Sequence, residues 1–288
     1  MVNIVLHDAI GYSAAMFRLI EWLFECVIGA IMKPLMKRAR DYGGKLGRAG
    51  GGGVSEIMLN LFRVGDYQNT LAMCNLGASV GQDLDVFRAH VLTQLGDIDQ
   101  AVGILTKAVA HEKHPQLAAL ANCTLGEAYL FQHRIDAAFD AFNTARKLWP
   151  ERGATYCSLA EVWFRRGNRE ETLRCARLAV EMENAEPGVT PETKASNLAV
   201  ALAVLACAVA STSDVPEVPQ LTAKAAGQCG GLAVTTVAKT HVYCAIACNL
   251  IGDRARGAEH LELAVRVDPR GAWGREAQRL TAEAMPVG

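Results

Sequence analysis

The feature of this sequence that most constrains its fold is a spacing of small and large apolar residues that repeats along the chain. In its clearest copy, which covers residues 119–152, the residues at the recurring offsets are Leu125, Gly126, Tyr129, Ala138, Phe142, Ala145 and Pro150. A second copy begins at Gly153, 34 residues after Ala119. A fixed period of this length indicates a stack of similar supersecondary units, each of which buries its apolar face only against its neighbours.

The spacing suits two antiparallel helices in each unit. Small residues such as Gly126 and Ala138 let the helices approach where they cross, and large ones such as Phe142 fill the space between them. Gly167 stands where the first helix of its unit ends, and glycine readily adopts the left-handed conformation needed there. Pro150 follows the second helix and prevents it from continuing.

This pattern resembles the tetratricopeptide repeat, W-x2-L-G-x2-Y…A-x3-F…A…P. The resemblance implies an all-α, right-handed superhelical solenoid of antiparallel helix pairs over residues 51–288, preceded by a separate segment, 1–50. The predicted units cover about 51–81, 82–118, 119–152, 153–186, a divergent unit at 187–237, and 238–270, with a C-terminal helix at 271–285. In the divergent unit, Thr190 and Pro191 predict a helix start, and the small apolar residues of 198–210 predict a helix buried in the stack.

Residues 9–40 do not match the repeat, and their apolar side chains cover most of a helical circumference. Arg18, Glu21 and Glu25 would each cost about 2.5–3.5 kcal/mol at the centre of a bilayer, so this is not a good transmembrane helix. We expect an extra N-terminal hydrophobic helix that docks through Phe17, Trp22, Phe24 and Ile28.

A basic tail and a glycine-rich joint follow this helix, ending at Gly53. Three arrangements are open for it. The helix packs on the solenoid, docks on a partner protein or complex, or lies on an anionic membrane surface through residues 9–48.

The sequence predicts no catalytic residues, no cofactor and no metal. His241, Cys244 and Cys248 share one helix face, as soft-metal ligands can, but they occupy the inward packing positions of their unit. Nine cysteines without a CxxC pair indicate free thiols in a reducing compartment, which predicts a cytoplasmic protein. A net charge of −1 gives no general attraction to nucleic acid.

In tetratricopeptide proteins the ligand commonly lies on the concave face, which the first helix of each pair lines. Carried over to this chain, the resemblance implies a partner-binding groove formed by Phe87, His90, Glu127, Leu130, Phe131, Glu161, Phe164, Arg165 and Tyr243. The Lys/Asn/Arg clamp with which one subtype holds acidic chaperone tails is absent. Glu127 and Glu161 instead favour an amphipathic or apolar segment that carries a basic residue. The alternative is that these residues face a neighbouring helix or the chain's own N-terminal segment.

These observations predict a non-catalytic protein–protein interaction scaffold or assembly chaperone. Two other functions are open. The protein is a structural subunit held in a larger complex by its N-terminal hydrophobic helix, or it is a membrane-peripheral adaptor that also uses this segment.

Overall fold

The computed structural model describes residues 54–79, 84–185, 190–212 and 215–284. The chain divides into two compact units, Met1–Asn60 and Leu61–Gly288, and the helix pairs lie in the second. The predicted N-terminal docking helix, with Phe17, Trp22, Phe24 and Ile28, lies outside the described residues and stays a prediction.

The residues that the structure describes form thirteen α-helices and no strand. A short 3-10 turn, Val215–Glu217, precedes the tenth helix. The helices are α1 (Val54–Arg63), α2 (Tyr67–Ser79), α3 (Asp85–Leu95), α4 (Ile98–His111), α5 (Pro115–Phe131), α6 (Ile135–Leu148), α7 (Gly153–Arg165), α8 (Arg169–Ala185), α9 (Pro191–Ala210), α10 (Val218–Gly227), α11 (Val234–Leu250), α12 (Arg254–Val267) and α13 (Ala272–Ala284).

From α3 onward the helices form five hairpins, α3–α4, α5–α6, α7–α8, α9–α10 and α11–α12, and each second helix also contacts the first helix of the next hairpin. The first helices contact one another in series, from α3 through α5, α7 and α9 to α11. The predicted all-α solenoid of helix pairs is therefore confirmed.

The turns inside three of the five hairpins contain the predicted glycine. Gly96, Gly167 and Gly252 end the first helices of their pairs with φ values of +95°, +71° and +84°. The equivalent residue between α5 and α6 is His133, which adopts φ +58°. A positive φ is uncommon outside glycine but several-fold enriched in histidine, so this turn forms without the expected glycine.

The small residues lie where the helices cross. A Cβ atom added to Gly126 on α5 would lie 2.5 Å from the Phe142 ring on α6, too close for any side chain unless the ring moves. Ala138 and Ala145 on α6 are fully buried. The repeat spacing therefore reflects close packing between the two helices.

Helix α9 begins as predicted, because the Thr190 hydroxyl accepts a hydrogen bond of 3.2 Å from the Thr193 N–H and Pro191 occupies the first turn. Its residues from Ala199 to Ala210 are buried, apart from Val200, which is half-buried. Among the described helices it is the one long and apolar enough to cross a membrane, but 61% of its apolar window is buried inside the protein.

The last helix returns to the first hairpin of the stack. The buried side-chain carbonyl of Gln94, at the end of α3, accepts hydrogen bonds from the Thr235 hydroxyl at 3.1 Å and the Ala272 N–H at 3.3 Å. Arg275 on α13 donates to the Gln94 main-chain carbonyl at 3.0 Å. Tyr67 on α2 also donates to Asp268, at 2.9 Å. These bonds join residues far apart in sequence, so the inner face of the stack is partly enclosed by its own C-terminal helices.

Candidate functional site

A cluster of charged side chains lies where the first helices face one another. Lys239 on α11 is 9% exposed, and its Nζ lies 3.0 Å from Glu127 Oε1 on α5 and 3.2 Å from Glu161 Oε2 on α7. Arg165, one turn beyond Glu161, contacts the other oxygen of that carboxylate at 3.3 Å. The Trp273 ring of α13 covers the ammonium group, with its centroid 4.9 Å from Nζ.

Both carboxylates are therefore neutralised within the chain. Burial alone would lower the pKa of Lys239, but Glu161 and Glu127 outweigh it and raise that pKa above its usual range. Burial alone would raise the pKa of Glu127, but Lys239 brings it below the ordinary value. Nearby His90, 3.9 Å from Glu127, has a pKa lowered by burial and is neutral at pH 7.

Much of the groove predicted from the sequence packs against the chain's own helices, as the alternative interpretation held. Glu161 and Tyr243 are 1% and 2% exposed, and Leu130 is buried. Phe131 lies edge-on to Trp273 at a centroid distance of 5.1 Å, and Phe164 is half-buried against the core. The expectation that these side chains are open to a partner is corrected, because α11 and α13 fill this part of the concave face. A role for them in binding a partner stays a prediction.

Beside the charge cluster lies a cavity of about 260 Å³. Helices α5, α7, α9 and α11 provide most of its wall, and Trp273 of α13 closes one side. Its polar wall consists of His90, Thr124, Glu127, Arg152, Ser158, Ser196, Asn197, Thr235, Thr236 and Lys239. The first helices of four consecutive hairpins thus line one partly open cavity with donors and acceptors, including charged groups of both signs.

Arg152 stands directly before α7 and is half-buried. Its Nη1 lies 3.5 Å from Cys123 Sγ and from Thr155 Oγ1, two neutral groups. No carboxylate of the described residues lies within the 4.0 Å distance of an ion pair from it. Arg152 is therefore a cationic wall residue whose charge is not balanced by a direct contact.

An apolar recess of about 350 Å³ adjoins the cavity, and the two share His90, Leu120 and Thr124. Its wall adds Leu84, Val86, Phe87, Glu112 and Leu117. Leu117 is half exposed, which is unusual for a large apolar side chain on a packed helix. Of the predicted groove residues, Phe87 and His90 line this recess, and His90 and Glu127 line the cavity.

Sequence reasoning missed three of the central residues. Lys239 is the second residue of the last unit, which is one of the repeat positions that line the concave face in the family, so its place in the repeat could have identified it. Arg152 is the last residue of its unit and lies outside the helix positions that line the groove in the family. Asn197 belongs to the divergent unit, where no repeat motif marked the register.

Most cysteine side chains of the described residues lie in the packed interior, as does His241. Within the part of the chain that the structure describes, no group of three or more His, Cys, Asp or Glu residues could hold a metal ion. His241 faces His260, with their Nδ1 atoms 2.9 Å apart, and Cys244 is fully buried. The eight cysteines of the described residues are free thiols. Burial raises the pKa of Cys157, on the cavity wall, to about 12, so its reactive thiolate form is scarce at neutral pH.

Comparisons with known proteins identify the fold. No protein-family model matches the chain, and no curated protein matches its sequence. Among solved structures, the APC/C hetero-tetramer Cut9–Hcn1 is 13% identical with a TM-score of 0.55, and the match covers 78% of this chain and 42% of that one. A Rap protein complexed with competence and sporulation factor is 12% identical with a TM-score of 0.52, covering 74% of this chain and 64% of that one.

YrrB, a TPR protein with an unusual peptide-binding site, matches over 80% of this chain and all of its own length, at 16% identity and a TM-score of 0.36. The two likenesses with TM-scores above 0.5 bear on the fold alone, and that fold agrees with the residue spacing and with the pairing of the helices. The chain therefore has the all-α fold of a tetratricopeptide-repeat solenoid.

Proposed function

We propose that this protein is a non-catalytic interaction module that binds a short segment of another polypeptide in the cavity of its concave face. The observation that carries the proposal is the polar wall of that cavity, which the first helices of four hairpins build together. Structural similarity to a Rap protein that was solved in complex with a factor supports it.

The chemistry of the wall suits a polypeptide backbone. Ser158, Ser196 and Asn197 are half-buried, and each makes one hydrogen bond within the chain, to the Ala154 carbonyl, Thr236 Oγ1 and Glu183 Oε2 respectively. Their remaining lone pairs, and the second amide N–H of Asn197, can serve the N–H and C=O groups of an extended segment. The adjoining recess, with Phe87 and Leu117, suits an apolar side chain of the same segment.

The role that we infer is that of a scaffold or assembly chaperone in the cytoplasm. Buried free thiols, such as Cys123 and Cys157, are compatible with a reducing compartment. The raised pKa of Cys157 leaves the cavity without an activated thiol, and Lys239 pairs with the cavity carboxylate Glu127, which supports a binding role rather than a catalytic one.

The test begins with selection of binders from a random peptide display library against the whole chain. Affinities of synthetic versions are then measured by isothermal titration calorimetry for the wild type and two variants. Ser158→Phe places a ring in the cavity. Thr144→Phe is the matched control, because Thr144 is exposed on α6, a second helix outside the cavity.

We expect Ser158→Phe to weaken binding by roughly two orders of magnitude, because the ring occupies the space that the segment needs. Thr144→Phe should bind like the wild type, and circular dichroism should show equal helix content in all three proteins. Peptides that bind all three equally would place the binding surface elsewhere and refute the proposal.

A further inference from the structure

We propose that the cavity selects an acidic group on the bound segment and that Arg152 is the residue that holds it. This inference rests on the proposed function and reverses the charge that the sequence had suggested for the partner. It names the ligand group as a carboxylate, either an Asp or Glu side chain or the C-terminal end of the segment.

The acidic residues of the concave face do not favour a basic partner. The sequence suggested such a partner because Glu127 and Glu161 had no evident cation of their own. Lys239 contacts both of them and Arg165 contacts Glu161, so two positive charges balance two negative ones inside the chain. A lysine or arginine from a partner would have to displace the buried ammonium of Lys239, which α11 holds in the core.

Arg152 adds a third cation to this group. Its charge helps to lower the pKa of Glu127, but it makes no ion pair with a carboxylate of the described residues. It lines the same cavity, and the atoms within hydrogen-bonding distance of its Nη1 are a thiol sulfur and a hydroxyl oxygen. A guanidinium has five N–H donors in a planar fork that matches a carboxylate. Since two neutral contacts engage one nitrogen of this fork, other donors are available to a ligand.

A further carboxylate lies nearby but does not line the cavity. Glu183 is fully buried on α8, where one oxygen accepts a hydrogen bond of 3.1 Å from the Asn197 amide. It lies against Gly153 in the first turn of α7, since a Cβ atom added there would be 2.8 Å from Glu183 Oε1. The positive end of a helix stabilises an anion in this place, and Glu183 does not line the cavity.

Two hydroxyl groups lie on the same wall, and both already have partners within the chain. Ser158 Oγ donates to the Ala154 carbonyl at 3.2 Å, and Ser196 Oγ shares a hydrogen bond of 3.3 Å with Thr236 Oγ1. The fork of Arg152 therefore supplies most of the donors for a carboxylate, and such charge-assisted hydrogen bonds are roughly twice as strong as neutral ones.

The test uses the synthetic peptides selected for the whole chain. Each peptide is made in three forms: unchanged, with its Glu and Asp replaced by Gln and Asn, and with an amidated C-terminus. Binding is measured to the wild type, to Arg152→Gln and to the matched control Arg177→Gln, an arginine exposed on α8. Thermal melts check that each variant is folded.

We expect one of the two neutralised forms to bind the wild type roughly tenfold more weakly or worse, and that form identifies the source of the carboxylate. Arg152→Gln should remove the difference between the acidic and neutral peptides, whereas Arg177→Gln should preserve it. Arg152→Lys should restore part of the preference, since the charge returns without the fork.

Two results would overturn the inference, and they can be told apart. If Ser158→Phe abolishes binding while neutral peptides and Arg152→Gln have no effect, the segment binds in the cavity without charge selection and the proposed function stands. If no peptide depends on the cavity at all, the proposed function fails and the charge selection fails with it.

Discussion

Replacing Lys239 by methionine removes the cation at the centre of the concave face while keeping a similar side-chain length. Glu161, at 1% exposure, would lose a contact of 3.2 Å, and the half-buried Glu127 would lose one of 3.0 Å. Removal of one partner from a buried ion pair typically costs about 3–5 kcal/mol, because a charge is left buried without compensation.

The lower end of this range applies here. Glu161 keeps its contact with Arg165, and Glu127 can turn toward the water that reaches its half-buried carboxylate. We therefore expect a loss of about 3 kcal/mol in the free energy of unfolding, which lowers the melting temperature of a chain of this size by roughly 6–12 °C.

Circular dichroism at 222 nm during heating measures this change. Lys147→Met is the control, since Lys147 is exposed on α6 and such surface changes stay within about 0.5 kcal/mol. The double variant Lys239→Met with Glu161→Gln should lose less stability than the sum of the single variants, because the charge left unpaired is also removed. A melting temperature for Lys239→Met within a degree or two of the wild type would refute the account of a buried, ion-paired lysine.

Three further predictions concern packing, closure and pH. Gly126→Ala should destabilise the chain by about 1–3 kcal/mol in urea unfolding, because the new Cβ meets the ring of Phe142; an unchanged midpoint would place the crossing of α5 and α6 elsewhere. Gln94→Ala should speed amide hydrogen exchange in α13, since it removes the side-chain carbonyl that accepts a hydrogen bond from Ala272 at the start of this helix. An unchanged exchange rate would mean that other contacts hold α13 in place. Burial lowers the pKa of His241 from 6.5 to about 4, so unfolding protonates it and stability should fall as the pH drops from 6.5 to 4. His241→Gln, which keeps a polar partner for His260, should flatten that dependence of the urea midpoint on pH, and an unaltered slope would assign the acid sensitivity to another group.

The fold was predictable because repeat packing leaves a strong signal at fixed positions. Glycine at the end of the first helix and alanine at the helix crossing are required by backbone conformation and by contact distance, as Gly167 and Ala138 illustrate. These requirements act between residues close in sequence, so one unit is sufficient to reveal them. His133 shows their limit, because a residue that tolerates positive φ replaced the expected glycine without changing the turn.

The site was less predictable because it depends on which distant helices meet. Glu161 and Lys239 are 78 residues apart, and nothing local in either unit shows that the last repeat returns to the earlier ones. The bonds from Thr235 and Arg275 to Gln94 bring these units together across an even longer separation. As a result, the acidic residues on the predicted groove were identified, but the lysine that neutralises them was not.

The central claim, that a polypeptide segment binds inside the concave face, is tested most directly by hydrogen–deuterium exchange mass spectrometry with and without a selected peptide. The account predicts slower exchange in α5, α7 and α9, whose residues line the cavity, and no change in α6 and α8 on the outer side of the stack. Slower exchange confined to α6 and α8, or to residues 1–53, would contradict it.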